Sequence, residues 1–472
     1  MCKRLIITAL MLSLLTGSAA GQQKKSRKPV VQTPETFRGD LGQAATPAPQ
    51  SLADLKWFEV FRDEQLQGLI RTALVENYDL REAIARVNAA RANLGITRSE
   101  QFPNIAAGAD LTTLRNSASG SFPSPQGFKQ KRTFGGVLLN LLSFEIDIWG
   151  RKRRQTEAAR AELRAFEEDR KAVMTTLVGD VAATYFSLLE LDMELEIARR
   201  TLATREDSLR LIRVRQQGGV ATMLEVRQAE QLVYTASQAI PDTERLIEQT
   251  ENQISLLLGK NPGPVRRGTS LTAQEQPPSV PVGIPSSLLE RRPDIKAAEH
   301  TLAAANANVG VARAAYFPQI SLTSFFGFES NQLSGLFSGP ARVWQFIPQV
   351  SQPIFTAGRL KSNVKLARAQ QQSALVQYES AVQTAFREVS DALVQYRKVK
   401  EIRTQQELLV TTLQDRSRLA YMRYRGGVDT LLNALDADRD LFTAELSLAQ
   451  TRRDERLSLV QLYKVLGGGW QE

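Results

Sequence analysis

The apolar positions of this chain follow a coiled-coil period over two long segments. Apolar residues recur at alternating intervals of three and four from Arg151 to Gln217 and again from Arg359 to Arg425. At 1.5 Å per residue, each predicted helix is roughly 100 Å long. Glycine pairs follow both segments and end them, because glycine adopts a left-handed cap at low cost. The pattern then predicts return helices at 220–258 and 428–466.

Ahead of each long helix, apolar residues alternate with polar ones. The alternating segments are Ile105–Thr112, Leu142–Ile148, Ile320–Thr323 and Trp344–Ser351. The alternation predicts strands of about ten residues, which is long enough for a tilted strand to cross a bilayer. The four strands are predicted to form two hairpins, at about 104–148 and 319–355. Pro348 and Pro353 count against an uninterrupted central strand. Four strands cannot close a barrel alone, so a spanning sheet needs other chains: two give eight strands, and three give twelve and a lumen.

The two halves of the chain repeat one pattern. Asp79–Ala83 matches Asp294–Ala298 at an offset of 215 residues, and Gly150-Arg151 matches Gly358-Arg359 at an offset of 208. The slip between the two offsets falls inside the first hairpin, where a loop is longer. We therefore expect two structural repeats of helix, hairpin, long helix and return helix, at 57–260 and 286–472, joined by a Pro/Gly-rich linker at 261–285. The first helix of repeat one is expected from about Asp63 to Gln101.

The start of the chain is typical of an export signal. In residues 1–20, Lys3-Arg4 precede the apolar run Leu5–Leu15 and the small residues Gly17–Ala20. The run is too short to span a membrane as a helix. Residues 21–56 are rich in Gln, Lys, Pro, Ser and Thr and cannot bury enough apolar surface to offset their ordering entropy, so a flexible leader is expected.

Composition and charge exclude several classes of protein. With 42% hydrophobic residues, the chain is not a polytopic helical membrane protein. The 60 Lys+Arg and 50 Asp+Glu residues are interspersed, so the net charge of +10 indicates solvated helix faces, and no nucleic-acid partner is expected. One cysteine, Cys2, and one histidine, His300, leave no Cys/His zinc site and only one base for a Ser-His-Asp triad. We expect no enzyme activity, cofactor or metal.

Three motifs carry a resemblance to a known family. Ser143–Arg151 (SFEIDIWGR), Leu288–Ile295 (LLERRPDI) and Pro353–Arg359 (PIFTAGR) resemble signatures of the TolC-type outer-membrane efflux channels, in the NodT-like branch paired with resistance-nodulation-division pumps. The resemblance covers nearly the whole mature chain. It implies an α+β membrane protein: a homotrimer whose twelve-stranded transmembrane β-barrel, four strands per chain, continues into a long periplasmic α-helical coiled-coil barrel.

The resemblance also implies a function and partners. The channel is a passive exit duct in the outer membrane, in contact with outer-membrane lipids, while an inner-membrane pump and a periplasmic adaptor supply energy and docking. The linker at 261–285 is expected at an equatorial belt. Members of this branch often carry a lipidated cysteine after the signal peptide, but the only cysteine here is Cys2, ahead of the apolar run, so a lipid anchor is not expected.

The resemblance places the functional residues at the periplasmic tips of the helices. Acidic residues on the second return helix are expected to form rings that constrict the closed pore and select for cations. Asp436 occupies one acidic position, whereas the other falls on Asn433. Glu225 is the gating carboxylate of the first repeat, expected to bond to Tyr424 or Arg425. Adaptor docking is expected at the tip residues Gly218, Gly219, Val220, Gly426, Gly427 and Val428.

A basic segment follows the first hairpin. Arg151, Lys152 and Arg153 are most simply the solvated start of a helix, but their place after a strand would let them and Trp149 meet lipid headgroups at the membrane interface. Two alternatives to the efflux duct stay open at this point. One is an outer-membrane duct for type I protein secretion, and the other is a periplasmic coiled-coil spacer with soluble hairpins.

Overall fold

The structure is a computed structural model that describes residues 52–115, 117, 131–274 and 288–470. The predicted signal peptide, the leader as far as residue 51 and residues 275–285 of the linker lie outside the described residues. The helices of the first repeat are α1 Trp57–Val60, α2 Glu64–Glu76, α3 Tyr78–Ser99, α4 Arg151–Gln217 and α5 Met223–Leu257. Those of the second repeat are α6 Leu288–Arg291, α7 Pro293–Ala314, α8 Arg359–Arg425 and α9 Leu431–Val465.

The two 67-residue helices, α4 and α8, have the bounds expected from their apolar period. The first helix of repeat one differs, because it is divided at Asn77, whose extended backbone (φ −60°, ψ 133°) ends α2. The Asn77 side-chain oxygen accepts a hydrogen bond from the Leu80 amide at 3.0 Å and so caps α3. Its Nδ2 donates to the Leu257 carbonyl at 2.9 Å, which ties the start of α3 to the end of α5.

The same tie recurs in the second repeat with different chemistry. Arg292, at the position equivalent to Asn77, donates from Nη1 to the carbonyl of Val465 at 3.0 Å. Its guanidinium also pairs with Asp294 and with Glu388 on α8, both at 2.7 Å. The arginine-proline-aspartate motif therefore joins three helices of the second repeat.

The four strands form one antiparallel sheet in the order β1-β2-β3-β4. They are β1 Ile105–Arg115, β2 Lys131–Glu145, β3 Gln319–Ser330 and β4 Arg342–Ser351. The second strand was expected at Leu142–Ile148 but begins at Lys131, and Ile146 and Ile148 follow its end. Pro348 lies inside β4, opposite Leu322 of β3, so β4 is continuous from Arg342 to Ser351 despite this proline.

The register gives the sheet one mainly apolar face and one face on which polar and apolar residues are mixed. A bulge between Leu141 and Phe144 shifts β2 by one residue, so Phe144 returns to the face that Leu141 occupies. The apolar face carries Ile105, Ala107, Ala109, Leu111, Val137, Leu139, Leu141, Phe144, Ile320, Leu322, Phe326, Trp344, Phe346 and Val350. The opposite face carries the polar residues Asp110, Asn140, Ser321, Gln345 and Gln349 together with the apolar residues Leu114, Phe134, Leu138, Phe325, Val343 and Ile347. The mainly apolar face is the one expected to contact lipid.

The helices pack in rows of four around α4. Near the sheet the row is α3, α4, α7, α8, and towards the helical tips it is α5, α4, α9, α8. The largest apolar cluster lies where the two rows meet along α4. There, Val181, Tyr185 and Leu188 of α4 are fully buried. Part of α4 is long and apolar enough to cross a membrane, yet 61% of that part is buried inside the fold, as in a core helix. Each row has a first-repeat element at one edge and α8 at the other.

A charged layer interrupts the apolar contacts beside this cluster. Neighbouring residues of α9 reach different elements: Arg452 pairs with Glu407 of α8 (3.3 Å), Arg453 with Glu190 of α4 (3.2 Å), and Glu455 with Arg403 of α8 (3.1 Å). Glu190 is only 2% exposed. Burial raises its pKa from 4.5, and the nearby Glu194 carboxyl raises it further, to about 8.

The buried Glu190 carboxyl predicts a pH-dependent stability. Because its pKa is higher in the folded protein, its proton stabilises the fold fully below pH 4.5, and this contribution is lost as the pH rises through about 8. Between pH 6 and 9 the midpoint of thermal unfolding should fall in the wild type and fall less in Glu190→Gln, by about 2–4 °C for each kcal/mol of linked stability. The matched control is Glu196→Gln, an exposed position on α4. Equal slopes for wild type and Glu190→Gln would contradict the prediction.

Candidate functional site

The free ends of the helical hairpins carry two equivalent turns. Gly219 and Gly427 have left-handed backbones, with φ of 71° and 73°. In each turn the following valine amide donates back to the helix, from Val220 to the Arg215 carbonyl at 2.9 Å and from Val428 to that of Arg423 at 3.1 Å. These are the bonds of a glycine helix cap. They leave the two valine side chains 69% and 67% exposed, so the expected docking tips present an apolar residue each.

Glu225 lies at the start of the first return helix and caps it. Its Oε2 accepts hydrogen bonds from the Thr222 amide (2.6 Å) and from Thr222 Oγ1 (3.0 Å), and Thr222 Oγ1 accepts from the Glu225 amide (3.3 Å). This reciprocal capping box satisfies two donors that a helix start otherwise leaves unpaired. The expected bond from Glu225 to Tyr424 is not formed within the chain, since the Tyr424 hydroxyl has no hydrogen-bond partner among the described residues. A gating role for Glu225 stays a prediction.

Tyr424 faces a cation of the other hairpin instead. It is buried, and its ring lies 4.7 Å from the guanidinium of Arg215 on α4. Burial raises the pKa of Tyr424, and its hydroxyl has no hydrogen-bond partner among the described residues. The side chain of Arg425 is exposed. A cation–π contact, rather than a carboxylate bond, joins the two hairpins here.

Asn433 lies in the first turn of α9 and is hydrogen-bonded to an acidic residue that precedes the helix. Its Nδ2 donates to Asp429 Oδ1 at 2.7 Å, and Arg423 Nε donates to Asp429 Oδ2 at 3.0 Å. Hydrogen bonds from Asn433 and Arg423 hold the pKa of Asp429 below its ordinary value. The negative charge that Asn433 lacks is thus present beside it on Asp429, where an arginine pairs with it.

Asp436 is half-buried and pairs with Arg439, one turn further along α9, at 3.2 Å. Arg439 also contacts Asp440 at 3.2 Å, and Asp440 pairs with Arg416 of α8 at 2.8 Å. Asp436 was predicted from the sequence, whereas its partner Arg439 was not. The candidate constriction therefore has alternating charges along α9 rather than a lone carboxylate.

A buried ion pair links the two hairpins just above these residues. Arg205 of α4 donates from Nε to Asp438 Oδ2 at 2.7 Å and from Nη1 to the Leu232 carbonyl of α5 at 2.9 Å. The Arg205 guanidinium also lies 4.8 Å from the ring of Phe442. The two charged side chains are only 2% and 10% exposed. Sequence reasoning missed this pair, although Asp438 falls on the apolar stripe that includes Leu431 and Phe442 of the same helix.

The residues expected at the membrane interface occupy the junction between sheet and helix. Arg151 binds both carboxylate oxygens of Glu145, the last residue of β2, while Lys152 pairs with Glu100 and Arg153 with Asp147. Trp149 stacks on Phe317 with 4.8 Å between ring centroids, and its Nε1 donates to the Pro318 carbonyl at 2.8 Å. These contacts fasten the first hairpin to α4 and to the second repeat. Contact of these residues with lipid headgroups stays a prediction, and the three cations would have to form it in addition to their internal ion pairs.

Comparisons with known proteins agree with this architecture. The chain matches the family described as outer membrane efflux protein over residues 69–260 and 284–468. It is 39% identical over 451 residues to the probable efflux pump outer membrane protein TtgC of Pseudomonas putida, covering 94% of this chain and 92% of that relative. It is 35% identical to the outer membrane protein OprJ of Pseudomonas aeruginosa, covering 99% and 96%. The structure of the open MtrE channel of Neisseria gonorrhoeae superposes with a TM-score of 0.84 at 33% identity, covering 94% and 97%.

The chain belongs to the outer membrane efflux protein family. It is an outer-membrane exit duct of an efflux system in a Gram-negative bacterium, and its family is one of channels rather than enzymes. The expected resemblance is confirmed. The comparisons also favour efflux over the two alternatives, the type I secretion duct and the periplasmic spacer, because the family and the relative TtgC are both described as efflux proteins.

Proposed function

We propose that three copies of this chain close into one continuous duct. The observation that carries the proposal is the row architecture: the sheet and both helical layers each end in unlike edges. The edges are β1 and β4 in the sheet, α3 and α8 in the adjoining layer, and α5 and α8 towards the tips. Unlike edges meet head to tail, and such contacts form a ring when the rotation closes.

The sheet requires closure most strongly. An open edge inside a bilayer leaves backbone donors and acceptors unpaired, each at a cost of several kcal/mol, so β4 of one copy must pair with β1 of the next. Three copies give twelve strands, wide enough for a lumen lined by the mixed face. On α8, the exposed apolar residues Val394, Ile402 and Leu409 follow a heptad-like spacing that suits a neighbouring copy.

Disulfide cross-linking tests the closure. Leu111 of β1 and Phe346 of β4 are both exposed on the apolar face. Within one chain they lie three strands and six residues of register apart, about 25 Å, too far for a disulfide. Three double variants sample three registers between neighbouring copies: Leu111→Cys combined with Phe346→Cys, with Trp344→Cys or with Val350→Cys. On oxidation, at least one of them should yield covalent dimers and trimers. The single variants are the controls, and the native chain adds only Cys2. Monomers throughout would contradict the trimer.

We further propose that Asp436 lies at the narrowest part of the pore. Threefold symmetry places three Asp436 carboxylates at one height, which favours cations in a narrow pore. The paired arginine increases the expected effect of removal, because Arg439 then keeps only Asp440 as an acidic partner, and Asp440 is shared with Arg416.

Asp436→Ala should therefore lower the cation-to-anion permeability ratio several-fold, as measured by reversal potentials in planar bilayers under a salt gradient. Asp242→Ala is the matched control, since Asp242 forms the same kind of pair with Arg245 on α5, at 2.6 Å. An unchanged ratio in Asp436→Ala would remove Asp436 from the constriction and leave the duct itself intact.

The partners follow from the architecture and from the relatives. The names of relatives refer to efflux of toluene, solvents and antibiotics. We propose that this duct passes small toxic compounds delivered by an inner-membrane pump, and that a periplasmic adaptor docks at the hairpin tips around Val220 and Val428. The exposed valines provide the apolar contacts for docking.

A further inference from the structure

The end of the sheet that is remote from the helices carries cations on its apolar face. Strand β1 leaves α3 at Ile105 and strand β2 leads to α4 from Glu145, so the opposite strand ends, Arg115 and Lys131, lie at the far rim. Arg115 and Lys131 are direct cross-strand partners. Arg342 begins β4 at the same rim, opposite Phe328. We call Arg115, Lys131 and Arg342 the rim cations.

The register places all three rim cations on the face that carries the apolar residues. One step below Arg115 and Lys131 on this face, Thr113 and Thr133 share a hydrogen bond of 3.1 Å between their hydroxyls. The face thus changes from apolar to hydroxyl to cationic towards the rim. The carboxylates of this part of the sheet lie on the other face: Asp110 and Glu329 both pair with Gly136.

The rim cations are placed at an energetic cost unless an anion is present. Like charges that lie directly opposite each other on neighbouring strands destabilise a sheet. Arg115 and Lys131 form such a pair, so their repulsion destabilises the sheet. All three side chains are exposed, and none forms an ion pair with a carboxylate in the part of the chain that the structure describes. Within one chain, the row of Arg342 runs through Phe328 and Val137 to Ala109, six residues from Arg115, so about 25 Å separates Arg342 from Arg115. Arg115 and Lys131 are direct partners on neighbouring strands, about 5 Å apart, so one multiply charged ligand can bind both.

We propose that the rim cations bind the phosphate groups of the phosphorylated glycolipid in the outer leaflet of the outer membrane. The inference rests on the proposed barrel, which puts the apolar face in lipid and the rim at the outer surface. Trp344, 70% exposed and next to Arg342 on the same face, is the kind of residue that lies at a membrane interface. Arginine also binds phosphate through two parallel hydrogen bonds. In the closed ring, Arg342 of one copy comes beside Arg115 of the next and completes three such clusters.

Binding of purified lipids to the full-length protein in detergent tests the proposal. The probes are diphosphorylated lipid A, the same glycolipid after removal of its phosphates, and phosphatidylglycerol. Native mass spectrometry of the assembled protein measures the affinity for each. We expect wild type to prefer diphosphorylated lipid A over both others. The variant Arg115→Gln/Lys131→Gln/Arg342→Gln should lose about a hundredfold in affinity for diphosphorylated lipid A, because each cation near an anionic lipid surface contributes about fivefold in affinity.

Two controls distinguish the effect of the sheet face from the effect of net charge on lipid binding. Lys131→Gln and Arg132→Gln remove one cation each from adjacent positions on opposite faces of β2, and only Lys131→Gln should weaken binding. Arg86→Gln/Arg210→Gln/Arg245→Gln removes three exposed charges from the helices and should bind as wild type does. Equal losses in Lys131→Gln and Arg132→Gln, retained preference in the triple rim variant, or equally tight binding of phosphatidylglycerol would each overturn the proposal.

Channel recordings on the same preparations keep this proposal distinct from the proposed function. A wild type that conducts but shows no preference for the phosphorylated glycolipid refutes the rim and leaves the duct. A wild type that does not conduct refutes the barrel on which the rim depends. If the triple rim variant does not assemble, the single variants Arg115→Gln and Arg342→Gln should each lose about fivefold in affinity for diphosphorylated lipid A, and unchanged affinity in both would overturn the phosphate site.

Discussion

Replacing Asp438 with leucine while Arg205 remains is expected to destabilise the contact between the two helical hairpins by about 3–5 kcal/mol. The Arg205 guanidinium would stay buried between α4, α5 and α9 without its carboxylate, with only the Leu232 carbonyl and the Phe442 ring as partners. Opening of this contact should expose backbone amides that the closed structure protects. Hydrogen exchange at 200–209 and 431–442 should accelerate by roughly a hundredfold or more.

The double replacement Arg205→Met/Asp438→Leu is the matched control. It removes both charges and fills the site with apolar atoms, so it should recover most of the loss, as buried ion pairs often can be replaced by apolar residues of similar volume. Slow exchange in Asp438→Leu, or equally fast exchange in the single and double variants, would show that the pair does not hold the hairpins together. Channel currents of the same variants report whether looser hairpins also widen the pore.

Replacing Asp63 with alanine should produce the second large loss of stability, about 3–5 kcal/mol. Asp63 is 4% exposed, and its carboxylate caps α2 by accepting hydrogen bonds from the amides of Gln65 and Leu66 at 2.9 and 3.1 Å. It also accepts from three donors distant in sequence: Tyr185 Oη (3.2 Å), the Thr269 amide (3.0 Å) and Gln274 Nε2 (2.8 Å). Alanine would leave the buried Tyr185 hydroxyl and Leu66 amide, and the other, partly buried donors, without a charged acceptor.

Thermal unfolding of the assembled protein measures this loss, with an expected fall of about 10 °C in the midpoint. Asp63→Asn keeps the size and one acceptor oxygen and should lie between wild type and alanine. Glu64→Ala, at the neighbouring exposed position of the same helix, should leave the midpoint nearly unchanged. If Asp63→Ala and Glu64→Ala behaved alike, the network around Asp63 would not contribute to the stability of the fold.

The long helices were predictable because their apolar period persists over 67 residues and ends at glycine in both repeats. Strand β2 was misplaced for a physical reason: Leu138 and Leu139 are both apolar although they face opposite sides of the sheet, so the alternation disappears there. The bulge between Leu141 and Phe144 then shifts the pattern by one residue. Only pairing with β1 and β3 reveals the true register.

The candidate site was predicted in part. The capping box of Thr222 and Glu225 was readable from their spacing, and it competes with the bond expected across the tip. The partners of Asp436 and Asp438 differ in how far they lie along the chain. Arg439 is one turn away and could have been inferred from the helix period, whereas Arg205 lies 233 residues from Asp438 and meets it only through the packing of α4 on α9.

Single-channel conductance of the purified wild-type protein in planar bilayers tests the central claim most directly. A trimeric duct with a polar lumen and an acidic constriction predicts stable insertion and small, cation-selective currents. Absence of insertion and current from a protein that is folded by circular dichroism would contradict the closed transmembrane barrel.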